Sequence, residues 1–279
     1  MSNTWQCGRF ELQLERPLLM GIVNVTPDSF SDGNHHFSHE AALAHARQLI
    51  TEGADILDIG GESTRPGADP VSVDEELRRV VPLIEALLDE GIPLSVDTFK
   101  PAVMVEVIKA GADIINDIAG FRSPEAVAAV ADTKAGLCIM HMQGEPKTMQ
   151  QAPHYDDIIA EIQGFLQLQV SRLEQAGVDH RRMMLDPGLG FGKTVAQNYS
   201  LLRHLDALGV QSIPWLIGLS RKSMIGHVVG RPPAERVAGS LAGMLAAVHY
   251  GAKVLRVHDV AQSADALKVW MAVQHGVSE

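Results

Sequence analysis

Eight short apolar runs recur along the chain, each ending in a residue able to do chemistry. They are Leu18 to Asn24, Ile56 to Glu62, Pro93 to Asp97, Ile114 to Asp117, Leu137 to His141, Met183 to Asp186, Trp215 to Lys222 and Val254 to His258. Each is near-continuous in hydrophobicity rather than alternating, which suits a parallel strand covered on both faces. The stretches between runs are long enough for a helix, so the pattern predicts eight strand-helix units closed into a (β/α)8 barrel. That fold gathers the C-terminal end of every strand around one mouth, so the polar run ends should converge on one site. Four runs are preceded by a glycine-led segment, Gly53-Ala54-Asp55, Gly111-Ala112-Asp113, Gly177-Val178-Asp179 and Gly251-Ala252-Lys253, where glycine can take the left-handed conformation that ends a helix.

The length of 279 residues is near the roughly 250 of one such barrel. With no linker, low-complexity tract or charge block, residues 1–279 read as one α/β TIM-barrel domain. Residues 1–15 read as a hairpin turning at Cys7-Gly8 that plugs the lower end of the barrel. Cys7 and Cys138 are far apart with no partner pattern, which argues against a disulfide framework or a cysteine metal site; Cys138, inside an apolar run, is expected to be a small core residue. No run approaches a membrane span and no signal-like segment opens the chain, so no membrane association and a cytoplasmic location are expected. A net charge of −11 argues against nucleic-acid binding. Against that background the basic residues at run ends, Arg65, Arg221, Lys222, Arg256 and His258, suggest a small anionic ligand such as phosphate or pyrophosphate.

Asp97, Asn116 and Asp186 end three apolar runs. Burying such groups without partners is expensive, so each needs a hydrogen-bonding ligand or a structural donor. Together they would complement a flat heterocycle displaying N–H donors, such as the aminopyrimidinone edge of a pterin or purine. Asp117, beside Asn116, should point to the opposite face of its strand. After the second run, Gly60-Gly61-Glu62-Ser63-Thr64-Arg65-Pro66-Gly67 offers close backbone approach, with the Thr64 hydroxyl and Arg65 guanidinium for an oxyanion. Arg256 and His258 lie two apart and share a face, at the recurrent phosphate-binding position of this fold. The loop from Asn24 to Asn34 is long, polar and punctuated by Pro27 and Gly33; it is a candidate lid whose oxygens suit Mg2+. Pro187 to Thr194 ends in Gly-Lys-Thr but lacks the glycine spacing of a P-loop, and reads instead as a loop bringing backbone and Phe191 close to a ring. Glu62 receives no role, and His141, at the end of the fifth run, has a weaker case for chemistry and reads as structural.

These motifs, taken in order, resemble the dihydropteroate synthases of the folate pathway: Asn24-Val25-Thr26-Pro27-Asp28-Ser29-Phe30-Ser31-Asp32-Gly33, Gly61-Glu62-Ser63-Thr64-Arg65-Pro66-Gly67, Asp186-Pro187-Gly188, Ser220-Arg221-Lys222-Ser223 and Arg256-Val257-His258-Asp259. The resemblance covers nearly the whole chain. It implies a TIM barrel, generally a homodimer and a sulfonamide target, that condenses 6-hydroxymethyl-7,8-dihydropterin diphosphate with 4-aminobenzoate to give 7,8-dihydropteroate and pyrophosphate. Carried over by position, Asp97, Asn116, Asp186 and Lys222 form the pterin set, with Met140 and Phe191 beside the ring. Asn24, Thr64, Arg65, Arg256 and His258 form the diphosphate set, Asn24 being associated with Mg2+. Phe30, Pro66, Ser220 and Arg221 border the aminobenzoate, and Asp32 belongs to the mobile first loop. Asn34-His35-His36, Phe99 and Leu189 depart from the commonest pattern, outside the pterin and diphosphate sets. The alternatives are an inactive pterin-binding paralogue and a methyltetrahydrofolate-corrinoid methyltransferase domain, which has no diphosphate to bind.

Overall fold

The computed structural model describes residues 3–25, 35–63, 69–145 and 148–277, with the side chains of 35–38 excepted. Phe30, Asp32, Thr64, Arg65 and Pro66 lie outside the described residues, as does most of the long loop after Asn24. The strands are β1 (Thr4–Cys7), β2 (Phe10–Gln13), β3 (Leu18–Asn24), β4 (Ile56–Gly60), β5 (Leu94–Asp97), β6 (Ile114–Asp117), β7 (Gly136–Met140), β8 (Met183–Asp186), β9 (Trp215–Ile217) and β10 (Ala252–Val257). The helices among the described residues are α1 (His35–Thr51), α2 (Val73–Leu87), α3 (Pro101–Ala110), α4 (Pro124–Ala131), α5 (Ile158–Gln175), α6 (Val195–Arg203), α7 (Ser223–Val229), α8 (Val237–His249) and α9 (Val260–His275). Strands β3 to β10 close in sequence order into a parallel barrel, with β10 pairing β3. All eight predicted strands are present.

Two strands stop two or more residues before the end of their apolar runs. The run from Trp215 continues to Lys222, but β9 stops at Ile217, after which Gly218 to Lys222 turns sharply and places Arg221 at φ +59°. The run from Ile56 stops pairing at Gly60. In both, apolar character outlasts the ladder because the following turn is also buried: Leu219, Ser220 and Gly61 are covered.

The barrel wall has period two, because successive strand side chains face opposite sides. Leu19, Leu57, Ile115, Leu137, Leu185 and Leu255 join the core shared with the helices. The alternate positions Met20, Ile56, Ile114, Cys138, Met184, Leu216 and Val254 form a second core inside the barrel, together with Trp5, Cys7 and Leu14 from the N-terminal segment. The antiparallel β1–β2 hairpin therefore is the expected plug. The indole Nε1 of Trp5 donates to Arg182 O at 2.9 Å, and Arg9 pairs with Asp113 at 2.8 Å, fastening it to the barrel's lower rim. Cys138 is the small core residue expected of it.

Gly53, Gly111, Gly177 and Gly251 have φ between +85° and +109°, the left-handed helix ends read from the four glycine-led segments. The small-residue stretch Ala238 to Gly243 on α8 serves packing within the chain: a Cβ at Gly239 would lie 2.6 Å from Ile225, and one at Gly243 would lie 2.8 Å from Leu219. Among the described residues no helix is long and apolar enough to cross a membrane.

Candidate active site

Two residues beyond the inner apolar layer, on the same inward phase, the chemistry changes abruptly. Ile56 is followed by Asp58, Ile114 by Asn116, Met184 by Asp186 and Val254 by Arg256, while on β5 the buried Ser95 is followed by Asp97 and on β7 Cys138 is followed by the apolar Met140. The sheet register sets Asp97 beside Asn116, and Met140 beside Asp186. A polar layer thus sits on an apolar floor that excludes water beneath it.

Arg256 organises one side of this layer. Its Nε donates to Asp58 Oδ2 at 2.6 Å and its Nη2 to Asp97 Oδ2 at 2.8 Å. Ser95 Oγ donates to Asp58 Oδ1 at 2.6 Å, and Asn116 Nδ2 donates to Asp58 Oδ2 at 3.2 Å. Asp97 Oδ1 and Asn116 Oδ1 remain buried without a hydrogen-bond partner. Burial pushes the Asp97 carboxyl up to about 7, opposed by Arg256 and reinforced by Asp58. The paired carboxylates hold the Arg256 guanidinium firmly protonated against the effect of burial.

Asp186 and Lys222 face each other on the other side. Asp186 Oδ1 accepts the amide of Gly188 at 2.7 Å, and burial raises its carboxyl pKa against the pull of Lys222. Burial lowers Lys222 to about 8, partly offset by Asp186. The Lys222 ammonium donates to Leu189 O at 2.6 Å and lies 4.8 Å from the centre of the Phe191 ring. Met140 is buried with Ile118, Met142 and Met149, and Phe99 and Phe191 pack against this cluster. Asp97, Asn116, Asp186 and Lys222, with Met140 and Phe191, are therefore gathered at one mouth, and Phe99 is part of the apolar wall there.

Ser220, Arg221 and Lys222 diverge from one tight turn. Ser220 Oγ lies 3.0 Å from His258 Nδ1, while Arg221 pairs with Asp259. The left-handed Arg221 is held by its amide donating to Ser240 Oγ at 2.9 Å and by Arg236 Nη1 donating to its carbonyl at 2.9 Å. Asn24 ends β3 at the mouth, exposed and in register with Gly60.

The sequence reading left two residues without a role, and both are structural pins. Glu62 takes the Lys100 ammonium and accepts the amide of Val71 at 3.1 Å; Lys100 also reaches Glu76 at 2.5 Å. His141 lies under Lys193, a buried lysine that sequence reasoning passed over. Asp117 accepts the amides of Ala119 and Phe121, as a residue facing away from the pocket should. Thr194 caps α6 in a reciprocal box with Gln197, so the Gly-Lys-Thr sequence has helix-capping work and not a phosphate role. Asp58 was also missed. Its signal was present: an acid inside an apolar run, two residues from Ile56 and so on the inward face.

The chain matches the pterin-binding enzyme family over residues 20–258. It is 51% identical over 259 residues to the dihydropteroate synthase of Escherichia coli K12, covering 92% of each chain. The structure of Burkholderia cenocepacia dihydropteroate synthase complexed with 7,8-dihydropteroate superposes with a TM-score of 0.90 at 53% identity, covering 97% of this chain and 96% of that one. That of Xanthomonas albilineans dihydropteroate synthase with 4-aminobenzoic acid gives 0.92 at 54% identity, covering 99% of both.

Proposed function

The chain belongs to the dihydropteroate synthases, a family of pterin-binding enzymes, and on that premise we propose how its own residues divide the work of joining 6-hydroxymethyl-7,8-dihydropterin diphosphate to 4-aminobenzoate. The observation that carries the assignment is the pair of buried, unpartnered acceptors, Asp97 Oδ1 and Asn116 Oδ1, side by side on adjacent strands. Buried acceptors are rarely left unpaired, and a ring edge rich in N–H groups supplies the missing donors. Asp186 extends the same acceptor edge, Lys222 donates to a ring acceptor, and Met140 and Phe191 flank the plane.

The C–O bond to the diphosphate breaks with its electron pair leaving on the diphosphate. The arylamine nitrogen then forms the new C–N bond and releases its proton. Negative charge grows on the leaving group and positive charge on the ring, so the site needs cationic groups at one end and carboxylates at the other. Arg256, which bonds Asp97 and so stands between the two, and Arg65 supply charge for the first, with His258 and Thr64 as hydrogen-bonding groups; Asp97 and Asp186 supply the second. No nucleophilic side chain is required for these two steps.

The donor chemistry around Asn24 fits Mg2+. An exposed amide oxygen at the mouth is a hard ligand, and no group of three His, Cys, Asp or Glu side chains able to hold a metal occurs among the described residues. Mg2+ commonly takes one or two protein oxygens and shares phosphate oxygens. Asn24 would hold it, and the ion would neutralise diphosphate charge. Phe30, Asp32, Pro66, Ser220 and Arg221 belong to the aminobenzoate side of the site in this reading. The whole chain acts as one pterin-binding domain, working as a cytoplasmic homodimer.

The decisive experiment incubates the purified protein with the dihydropterin diphosphate, Mg2+ and labelled 4-aminobenzoate and follows dihydropteroate by chromatography. Product is expected from the natural chain and absent from Lys222→Ala and Arg256→Ala. Product formation that survives both substitutions would overturn the site assignment.

A further inference from the structure

We propose that Asp58 sets the polarity of the pterin-recognising edge: it is the positioning residue that makes Asn116 offer an acceptor, rather than a donor, to the ring. The inference rests on the assignment of Asn116, Asp97 and Asp186 to the pterin.

Asp58 has no solvent exposure. Its two oxygens take three donors, Ser95 Oγ, Arg256 Nε and Asn116 Nδ2. An ionised carboxylate can only accept. An amide lying against it must turn its NH2 inward, and the oxygen of that amide is then left facing the pocket, as Asn116 Oδ1 is, buried and unpartnered. An amide without this neighbour is free to turn over, because its oxygen and nitrogen ends have nearly the same shape, and would then show the ligand a donor.

The same carboxylate orients the second acceptor. Asp58 holds Arg256 by Nε, so Nη2 is the end that reaches Asp97 Oδ2, and Asp97 Oδ1 is left for the ligand. One buried charge that does not belong to the ligand-facing set thereby fixes both members of an acceptor-acceptor edge. Such an edge takes a ring that presents N–H groups at both positions. It rejects an isomer presenting a lone pair there, since a buried acceptor would then face another acceptor.

The test moves the carboxylate from position 58 to position 116. In Asp58→Ala, Asn116 loses the acceptor that holds its NH2, is free to turn over, and can meet the ring N–H with a donor. In Asn116→Asp, two carboxylates face each other. In the double variant Asp58→Ala/Asn116→Asp, the carboxylate at 116 presents an acceptor whichever way it turns, and no second carboxylate faces it from position 58. With bare 6-hydroxymethylpterin as the calorimetric probe, each single substitution is expected to weaken binding about tenfold or more, and the double variant to regain most of that loss. A purely structural role for Asp58 would make the two losses add. The proposal is overturned if Asp58→Ala binds pterin like the natural chain, or if the double variant binds no better than the single ones, whether or not it folds. Asn116→Ala and Asp186→Ala, measured alongside, separate the two levels. If they too leave affinity unchanged, the pterin assignment itself fails; if they weaken it and the double variant shows no recovery, only the role of Asp58 fails.

Discussion

Lys193 Nζ lies 3.1 Å from His141 Nδ1, with both side chains buried, and this contact ties the loop after β7 to the loop after β8. The ammonium also donates to Gly188 O at 2.9 Å and Phe191 O at 2.8 Å and reaches His141 O at 3.4 Å, so its acceptors are drawn from both loops. Burial, with the Lys193 charge adding to it, holds His141 down to about 2, which keeps the imidazole neutral and able to accept at Nδ1. The loop so held carries Leu189 O, the acceptor of Lys222, and Phe191, which packs against the cluster that contains Met140.

Lys193→Met removes the shared donor and leaves buried acceptors unsatisfied, a loss of roughly 2–4 kcal/mol by the usual cost of such groups. Urea denaturation measures it. A change below about 0.5 kcal/mol would mean that the two loops hold together without the ammonium.

His141 makes stability fall on the acid side. Its folded pKa of about 2 lies below the ordinary 6.5, so between those values the unfolded chain binds more protons and stability drops as pH falls. From neutral pH to about pH 5 this group should remove about 2 kcal/mol. His141→Phe should flatten that limb when unfolding is followed at both pH values. An unchanged slope would show that the imidazole becomes protonated in the folded state.

Gly188→Ala should be among the most damaging single-carbon additions in the chain. A Cβ there would sit 1.8 Å from the carbonyl oxygen of His141, and the backbone has φ +69°. Left-handed strain and the forced separation of the two loops together cost roughly 2 kcal/mol or more. The thermal midpoint should fall by several degrees and pterin affinity with it; a stable, fully active variant would contradict the interlocked loops.

His258→Ala and Arg256→Ala should behave differently, although the proposed function assigns both to the diphosphate. His258 Nδ1 lies 3.0 Å from Ser220 Oγ, and its loss should lower turnover of the diphosphate substrate at least tenfold with little change in the affinity of bare pterin. Arg256 is also the partner of Asp58 and Asp97, and removing it strands two buried carboxylates. Arg256→Ala should impair turnover and bare pterin binding together, and lower stability by about 3 kcal/mol or more. Calorimetry with the bare pterin distinguishes the two patterns; identical effects in both variants would refute the division.

Asp97 should give pterin binding a pH dependence. With its carboxyl raised to about 7 by burial, the acceptor form is depleted as pH falls through that value, and the affinity for bare pterin should fall with it. Asp97→Asn should bind more weakly and lose this dependence. A flat affinity between about pH 6 and 8 in the natural chain would exclude Asp97 as a ring acceptor that titrates there.

Much of this architecture was legible in the order of residues. Parallel strands buried on both faces must be continuously apolar, and a barrel must bring their ends together, so eight apolar runs with polar ends already specify both fold and mouth. Glycines 53, 111, 177 and 251 mark helix ends because the left-handed conformation is easiest without a Cβ. Asp97, Asn116, Asp186 and Lys222 were legible because ionic and amide groups at the ends of apolar strands need partners.

What the tertiary structure alone decided is which partner each polar group has. Asp58 and Arg256 are 198 positions apart, Lys193 and His141 are 52 apart, and neither pairing leaves a local pattern. Strand periodicity tells which face a residue occupies, but only closure of the barrel brings β4 within a hydrogen bond of β10 across its interior. The same closure decides that Asp97 and Asn116 each satisfy one polar atom and leave the other open. Composition and spacing determine that a recognition site exists at the mouth; the direction in which its hydrogen bonds run depends on contacts between strands that only the folded barrel makes.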